Sequence, residues 1–206
     1  LVRAVFRNVA PRYDLMNDLM SAGVHRLWKR TMVDRVAESR PGLAVDVAGG
    51  TGDIAFRLRE KGFEVVVVDI NEAMLGVGRD RAFDRAVTDR VAWACGDAEA
   101  LPLPASSVDA YTIAFGIRNV THLDQALAEA RRVLRPGGRF ACLEFGRVVV
   151  PVIDRLYARY SDAVLPHLGG LVAGDADSYR YLVDSIQRFP EQSRFAALVA
   201  DAGLAH

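Results

Sequence analysis

The stretch Asp46-Val47-Ala48-Gly49-Gly50-Thr51-Gly52-Asp53 follows the apolar run Leu43-Ala44-Val45 and precedes Ile54, Phe56 and Leu58, with Lys61-Gly62 closing the segment. The lead-in reads as a buried parallel strand and the follow-on as a short helix ending at glycine. A glycine-rich turn between the two lets backbone come close to a ligand, at the first strand-to-helix turn of an α/β sheet. Outward from it, strand-like runs fall at 43–48, 64–69, 91–96, 108–114 and 138–145, with helical connectors at 53–61, 72–82 and 123–134. Arg135-Pro136-Gly137-Gly138 reads as the turn that ends the last helix. The alternation predicts an α/β fold: a mostly parallel, Rossmann-like sheet of five strands with helices on both faces.

The turn's ligand is decided by acids. Gly50-Thr51-Gly52-Asp53-Ile54-Ala55 also fits the dinucleotide pattern, which keeps a nicotinamide or flavin nucleotide open. However, three strand ends carry Asp46, Asp69 and Asp97 toward one crevice, where they would repel a pyrophosphate. S-adenosylmethionine has no phosphate, carries an ammonium and a sulfonium, and offers ribose hydroxyls and an adenine amine as donors, so carboxylates suit it better. The expected cofactor contacts are Asp46, Gly49, Gly50, Thr51 and Gly52 at the turn and Asp69 with Ile70 after the second strand. Asp97 with Ala98 is expected to read the adenine edge, against a merely solvated turn acid, and Ala114 and Phe115 end the fourth strand.

Length and composition bound the rest. The 206 residues make room for one domain, and 51% hydrophobic with 25% charged content is ordinary for a globular protein. Lysine plus arginine equals aspartate plus glutamate at 26 each, so no net field favours nucleic acid, which is not expected as a partner. Cys95 and Cys142 lie in apolar strand-like runs and are expected to be buried thiols in a reducing compartment. The four histidines are scattered, and no metal site is expected. No apolar run reaches the roughly 20 residues that cross a bilayer, which predicts a cytoplasmic protein or one peripheral to a membrane. The chain begins with leucine, which points to a lost natural beginning.

For reaction type the run Phe115-Gly116-Ile117-Arg118-Asn119-Val120 matters most, because the fourth strand brings it beside the crevice. If the methyl acceptor is a phenol or hydroquinone, ionisation makes its ring carbon the nucleophile, and the Arg118 guanidinium can hold the oxyanion. Arginine is a poor base, so His122 is the candidate proton acceptor, against an exposed and inert residue at a helix start. For Arg118 the competing expectation is a structural ion pair with an aspartate.

Two amphipathic regions flank the sheet. Residues 13–20 and 27–33, with Leu15, Met16, Leu19 and Met20, suggest packing on the sheet or a cap over the crevice for a greasy substrate. Pro151 to Ala173, rich in leucine and tyrosine, suggests a substrate lid or a membrane-contacting face. The expected organisation is one domain over 1–206, with a helical cap at 1–40, a cofactor-binding core at 41–146, and a lid with C-terminal helices at 147–206.

The chain resembles the UbiE/MenG family of ubiquinone and menaquinone biosynthesis C-methyltransferases. The resemblance rests on residues 5–18 (Val5-Phe6-Arg7-Asn8 onward), on 46–53, on 115–120 and on Leu171-Val172-Ala173-Gly174-Asp175-Ala176-Asp177-Ser178-Tyr179-Arg180-Tyr181-Leu182. It implies a class I S-adenosylmethionine-dependent methyltransferase fold and C-methylation of a polyprenylated benzoquinol, demethylmenaquinol, or both. Family cofactor positions fall on Thr51, Asp69, Asp97 and Ala98, and the pair near the reacting ring on Arg118 and Asn119. Ala114 stands where the family commonly has serine, and the family continues past His206 into a final pair of strands. The expected partners are a prenylated quinol, a membrane surface, and a homodimer or quinone-biosynthesis complex. The expected setting is the cytoplasm, peripheral to the inner membrane, on the matrix side in a eukaryote. Two other readings compete with this one: methylation of another lipophilic small molecule, and a non-catalytic S-adenosylmethionine-binding subunit.

Overall fold

The computed structural model describes residues 23–146, 181 and 184–204. The expectations for residues 13–20 and 151–173 lie outside this set. Helix α1 (His25–Val36) precedes β1 (Leu43–Val47), α2 (Asp53–Glu60), β2 (Glu64–Asp69), α3 (Glu72–Asp84), β3 (Val91–Cys95) and β4 (Val108–Ala114). Then come α4 (Leu123–Val133), β5 (Leu134–Leu143) and α5 (Gln192–Asp201), with residues 184–188 also helical. Short 3-10 turns lie at Thr88–Arg90 and Ile117–Asn119.

The five strands form one parallel sheet in the order β3-β2-β1-β4-β5. Order reverses between β1 and β4, so their outgoing loops part in opposite directions and leave a crevice at the strands' carboxyl ends. The period-2 alternation of strands sorts the side chains. Ala44, Val65, Val67 and Ala110 pack with Ile54, Phe56 and Leu58 of α2, Met32, Val33 and Val36 of α1, and Leu75 and Ala82 of α3. Val45, Val47, Val68, Tyr111 and Ile113 face the other way, onto Leu127, Ala130 and Val133 of α4, Phe189, and Phe195, Leu198 and Val199 of α5. A parallel sheet covered on both faces explains why β1 and β2 read as continuous apolar runs.

Two expectations are corrected. Arg135-Pro136-Gly137-Gly138 is not a separate turn between helix and strand: β5 starts at Leu134, pairs it with Val108, and resumes at Arg139 opposite Ala110 across an irregularity. Cys95 is exposed rather than buried, because β3 is an edge strand with its last residues uncovered. Cys142 is half-buried, and burial pushes its thiol pKa up.

Candidate active site

The crevice at the β1/β4 switch holds a cavity of about 180 Å³. The turns after β1 and β4 abut there, and each contains a non-glycine residue in the left-handed region: Ala48 at φ 50° and Phe115 at φ 57°. Such residues cost about 1 kcal/mol or more each and cluster where a backbone shape matters for function. Gly116 follows from the same crowding, since a Cβ on it would run into the Ala48 methyl.

Of the turn residues expected to bind a cofactor, Asp46, Gly49, Gly50 and Thr51 line the cavity, while Gly52 does not. Gly52 instead begins α2 at φ 83°, and a Cβ there would lie 2.6 Å from the Trp93 ring. Its requirement for glycine is the left-handed backbone together with packing on Trp93. Asp46 is 1% exposed; its Oδ1 accepts a hydrogen bond from Thr112 Oγ1 at 2.8 Å, but its Oδ2 is buried with no partner. Burial pushes the Asp46 pKa up to about 7, against the Thr112 hydrogen bond. A buried acceptor without a donor is expensive unless a ligand supplies one.

From β2, the Asp69 carboxylate is fixed by the backbone N–H groups of Gly50 at 2.9 Å and Asn71 at 2.8 Å. Burial raises its pKa while those two hydrogen bonds pull it down. Ile70 lies beside it, half-open to solvent. From β3 come Asp97 and Ala98, in a turn where Asp97 Oδ1 accepts from the Glu99 N–H at 3.0 Å. From β4 come Ala114 and Phe115, with Asn119 on the turn beyond. The Phe115 ring stacks on Phe145 with centroids 4.5 Å apart and is met edge-on by His25.

Arg118 and His122 do not line the cavity. The Arg118 side chain is 1% exposed and paired with Glu144, Nη1 to Oε1 at 2.5 Å; Nη1 also donates to the Phe115 carbonyl at 2.7 Å and Nε to Ser185 Oγ at 3.3 Å. His122 stands exposed at the start of α4, with Nδ1 2.8 Å from Glu99 Oε2. The hydrogen bond and charge of Glu99 raise its pKa, which favours the protonated ring. Asn119 is the member of the expected trio that faces the cavity, and its Oδ1 accepts a hydrogen bond from the Tyr181 hydroxyl at 3.1 Å.

Lys29, Glu99 and Tyr181 were not among the expected site residues. In α1 the buried positions are His25, Lys29, Met32, Val33 and Val36, one helical stripe. Two ionisable residues on a core-facing stripe were the available signal. Lys29 lines the cavity and donates to Asp53 Oδ2 at 2.9 Å. Glu99 accepts from the N–H groups of Thr121 at 2.6 Å and His122 at 2.9 Å, capping the entry to α4.

The residues present fit S-adenosylmethionine. The unpartnered Asp46 Oδ2 suits an ammonium, the Gly49-Gly50 backbone lines the cavity, and Asp69 and Asp97 suit donors along it. A parallel 3-2-1-4-5 sheet with an acid-lined glycine turn at its switch point is the fold of the class I S-adenosylmethionine-dependent methyltransferases. An S-adenosylmethionine-dependent methyltransferase from Aquifex aeolicus superposes with a TM-score of 0.60 at 15% identity, over 85% of this chain and 78% of its own. The [4+2]-cyclase SpnF superposes at 0.66 with 18% identity, over 91% and 90%, so the fold alone does not fix the reaction.

The family does more. A model of the ubiE/COQ5 methyltransferase family matches residues 1–206, and the chain belongs to that family. The ubiquinone/menaquinone biosynthesis C-methyltransferase UbiE of Methylobacterium nodulans is 59% identical over 210 residues, covering 100% of this chain and 83% of that protein. That of Brucella canis is 56% identical over 208 residues, covering 98% and 77%.

Proposed function

We propose that the protein methylates a ring carbon of a polyprenylated benzoquinol, demethylmenaquinol, or both, in ubiquinone or menaquinone biosynthesis. The observation that carries this reading is the 56–59% identity, over nearly the whole chain, to proteins named for that reaction. When bound, S-adenosylmethionine supplies an electrophilic methyl group on a sulfonium. The chain's own residues then position and polarise the acceptor.

Asn119 faces the cavity with its Oδ1 occupied by Tyr181, which leaves its amide N–H groups to donate to a ring oxygen. Donation to that oxygen stabilises its anionic form and enriches the adjacent ring carbon. Arg118 acts one step back. By holding the Phe115 carbonyl and Glu144 together, it fixes the strained turn that carries Phe115 and Asn119. Phe115, buried and stacked on Phe145, braces that turn from within the core.

In the same reading the chain works as one domain, with α1 bordering the crevice through Lys29. Peripheral contact with a bilayer suits a polyprenylated acceptor, and the exposed Val24, Leu27 and Trp28 at the start of α1 support it. Among the described residues no helix is long and apolar enough to cross a membrane. Co-sedimentation with anionic liposomes tests the membrane contact. Supplying benzoquinol and naphthoquinol acceptors separately, each with methyl-labelled S-adenosylmethionine, tests the substrate.

A further inference from the structure

The turns that leave β1 and β4 meet at the switch point, and each holds one half of the site. Val47 pairs with Ile113, so the two strands end at the same level and release their turns side by side. The β1 turn carries Gly49, Gly50 and Thr51 along the cavity, and the β4 turn leads to Asn119. Between them lies one methyl group, that of Ala48, facing Gly116 so closely that a Cβ there would overlap it. Gly116 has φ −119° and ψ −30°, in the right-handed region open to other residues, so its lack of a side chain answers to the Ala48 methyl and not to the backbone. Ala48 itself sits at φ 50°, where glycine is free of strain and alanine is not. A strained residue thus fills a space that its neighbour leaves empty, and such strain gathers where position matters for function.

Movement at Gly116 reaches the acceptor side directly, because its carbonyl accepts the Asn119 N–H at 3.0 Å. The rest of that turn is held from behind: the Phe115 N–H donates to the Leu143 carbonyl at 2.7 Å, and Arg118 Nη1 donates to the Phe115 carbonyl at 2.7 Å. On the other side the Gly49 N–H donates to the Val68 carbonyl at 3.3 Å and the Gly50 N–H to Asp69 Oδ2 at 2.9 Å, so the β1 turn is fixed as well. Two fixed turns in close-packed contact through one methyl have their spacing set by that methyl. We propose that Ala48 is a positioning residue for methyl transfer: its side chain spaces the cofactor-bearing turn from the turn that carries Asn119, and so aligns the acceptor with the methyl donor. This rests on the acceptor role given to Asn119 above. The reacting atoms must meet in line at contact distance, and a misplacement of about 1 Å costs about 100-fold in rate.

Moving the methyl from one turn to the other tests the assignment. Ala48→Gly empties the space and should lower kcat about 10- to 100-fold with a reduced short-chain demethylmenaquinone or benzoquinone, while S-adenosylhomocysteine affinity by isothermal titration stays within about twofold of wild type. Its Tm should stay close to wild type, because relief at φ 50° offsets the lost contact. Gly116→Ala crowds the same space and should lower kcat as well. The combined variant, Ala48→Gly with Gly116→Ala, again has one methyl between the turns and should recover most of the wild-type kcat, a rescue that two unrelated defects would not show. By NMR of isotope-labelled protein, the Asn119 side-chain amide resonances should move in each single variant and return in the combined one. The assignment is overturned if Ala48→Gly leaves kcat at the wild-type value, if it weakens S-adenosylhomocysteine in step with kcat, or if the combined variant is no better than the worse single one. Wild-type protein that binds S-adenosylhomocysteine but methylates neither quinol would overturn the acceptor reading instead; the Asn119 resonances then decide the spacing role, and their staying put in Ala48→Gly overturns it.

Discussion

Replacing Arg118 by methionine separates a residue that contacts substrate from one that holds the site's frame. The Arg118 and Glu144 side chains are 1% and 4% exposed, so the substitution leaves a carboxylate buried without its cation. Breaking a buried pair from one side costs about 3–5 kcal/mol. Glu144 keeps the backbone N–H groups of Arg118 at 3.2 Å and Phe145 at 2.9 Å, which places the loss near the lower end, about 3 kcal/mol. For a domain of this size that is about 6–12 °C in Tm. Against a total stability of roughly 5–15 kcal/mol, the protein should still fold. Urea unfolding followed by circular dichroism measures the loss, and Arg118→Met combined with Glu144→Leu should recover most of it, because no buried charge remains. An Arg118→Met protein that unfolds at the wild-type midpoint while losing methyl transfer would refute the framing role and return the guanidinium to the acceptor.

Other expectations follow from the same geometry. Asp46, raised to about 7 from an ordinary 3.8, stabilises the cofactor-free fold fully below about pH 4 and ceases to as pH rises through about 7; Asp46→Asn should flatten that decline in Tm. Asp53, lowered by Lys29 and Arg57, has the opposite sign, with stability present above the ordinary carboxylate range and lost on acidification. Tyr181→Phe frees Asn119 Oδ1 and should reduce kcat/KM by about 3- to 10-fold, with S-adenosylhomocysteine affinity unchanged by calorimetry. Gly49→Ala places a methyl 2.7 Å from Asp46 Oδ2 and Val67, so it should weaken S-adenosylhomocysteine binding in the same calorimetric assay. His122 should titrate above 6.5 by NMR and move down in Glu99→Gln, while His122→Ala leaves methyl transfer near wild type.

The sheet was legible because β1, β2 and β4 are apolar runs of strand length, and the glycine turn marks where the first one ends. Element ends were read to within a few residues except at β5, where proline and glycines suggest a turn but the chain pairs with β4 on both sides of a register shift. Within the site, sequence position located Asp46, Asp69, Asp97 and Asn119, since strand order alone sends them to one crevice. It could not say which way Arg118 turns. That depends on Glu144, 26 residues away and reached only through the β4/β5 pairing. Likewise His122 reads as a tuned base until Glu99, from the loop after β3, is seen to hold it outside the cavity. Lys29 was hidden for a different reason: lysine in an amphipathic helix is ordinarily exposed, and the ion pair with Asp53 across the helix pair makes its burial tolerable.

Methyl-labelled S-adenosylmethionine, incubated with the protein and a short-chain demethylmenaquinone reduced in one sample and oxidised in the other, tests the central claim most directly. The account predicts label in the organic phase of the reduced sample alone, on a ring carbon by NMR. Label on oxygen, or no label in either sample or with a reduced benzoquinol from protein that binds S-adenosylhomocysteine, would contradict it.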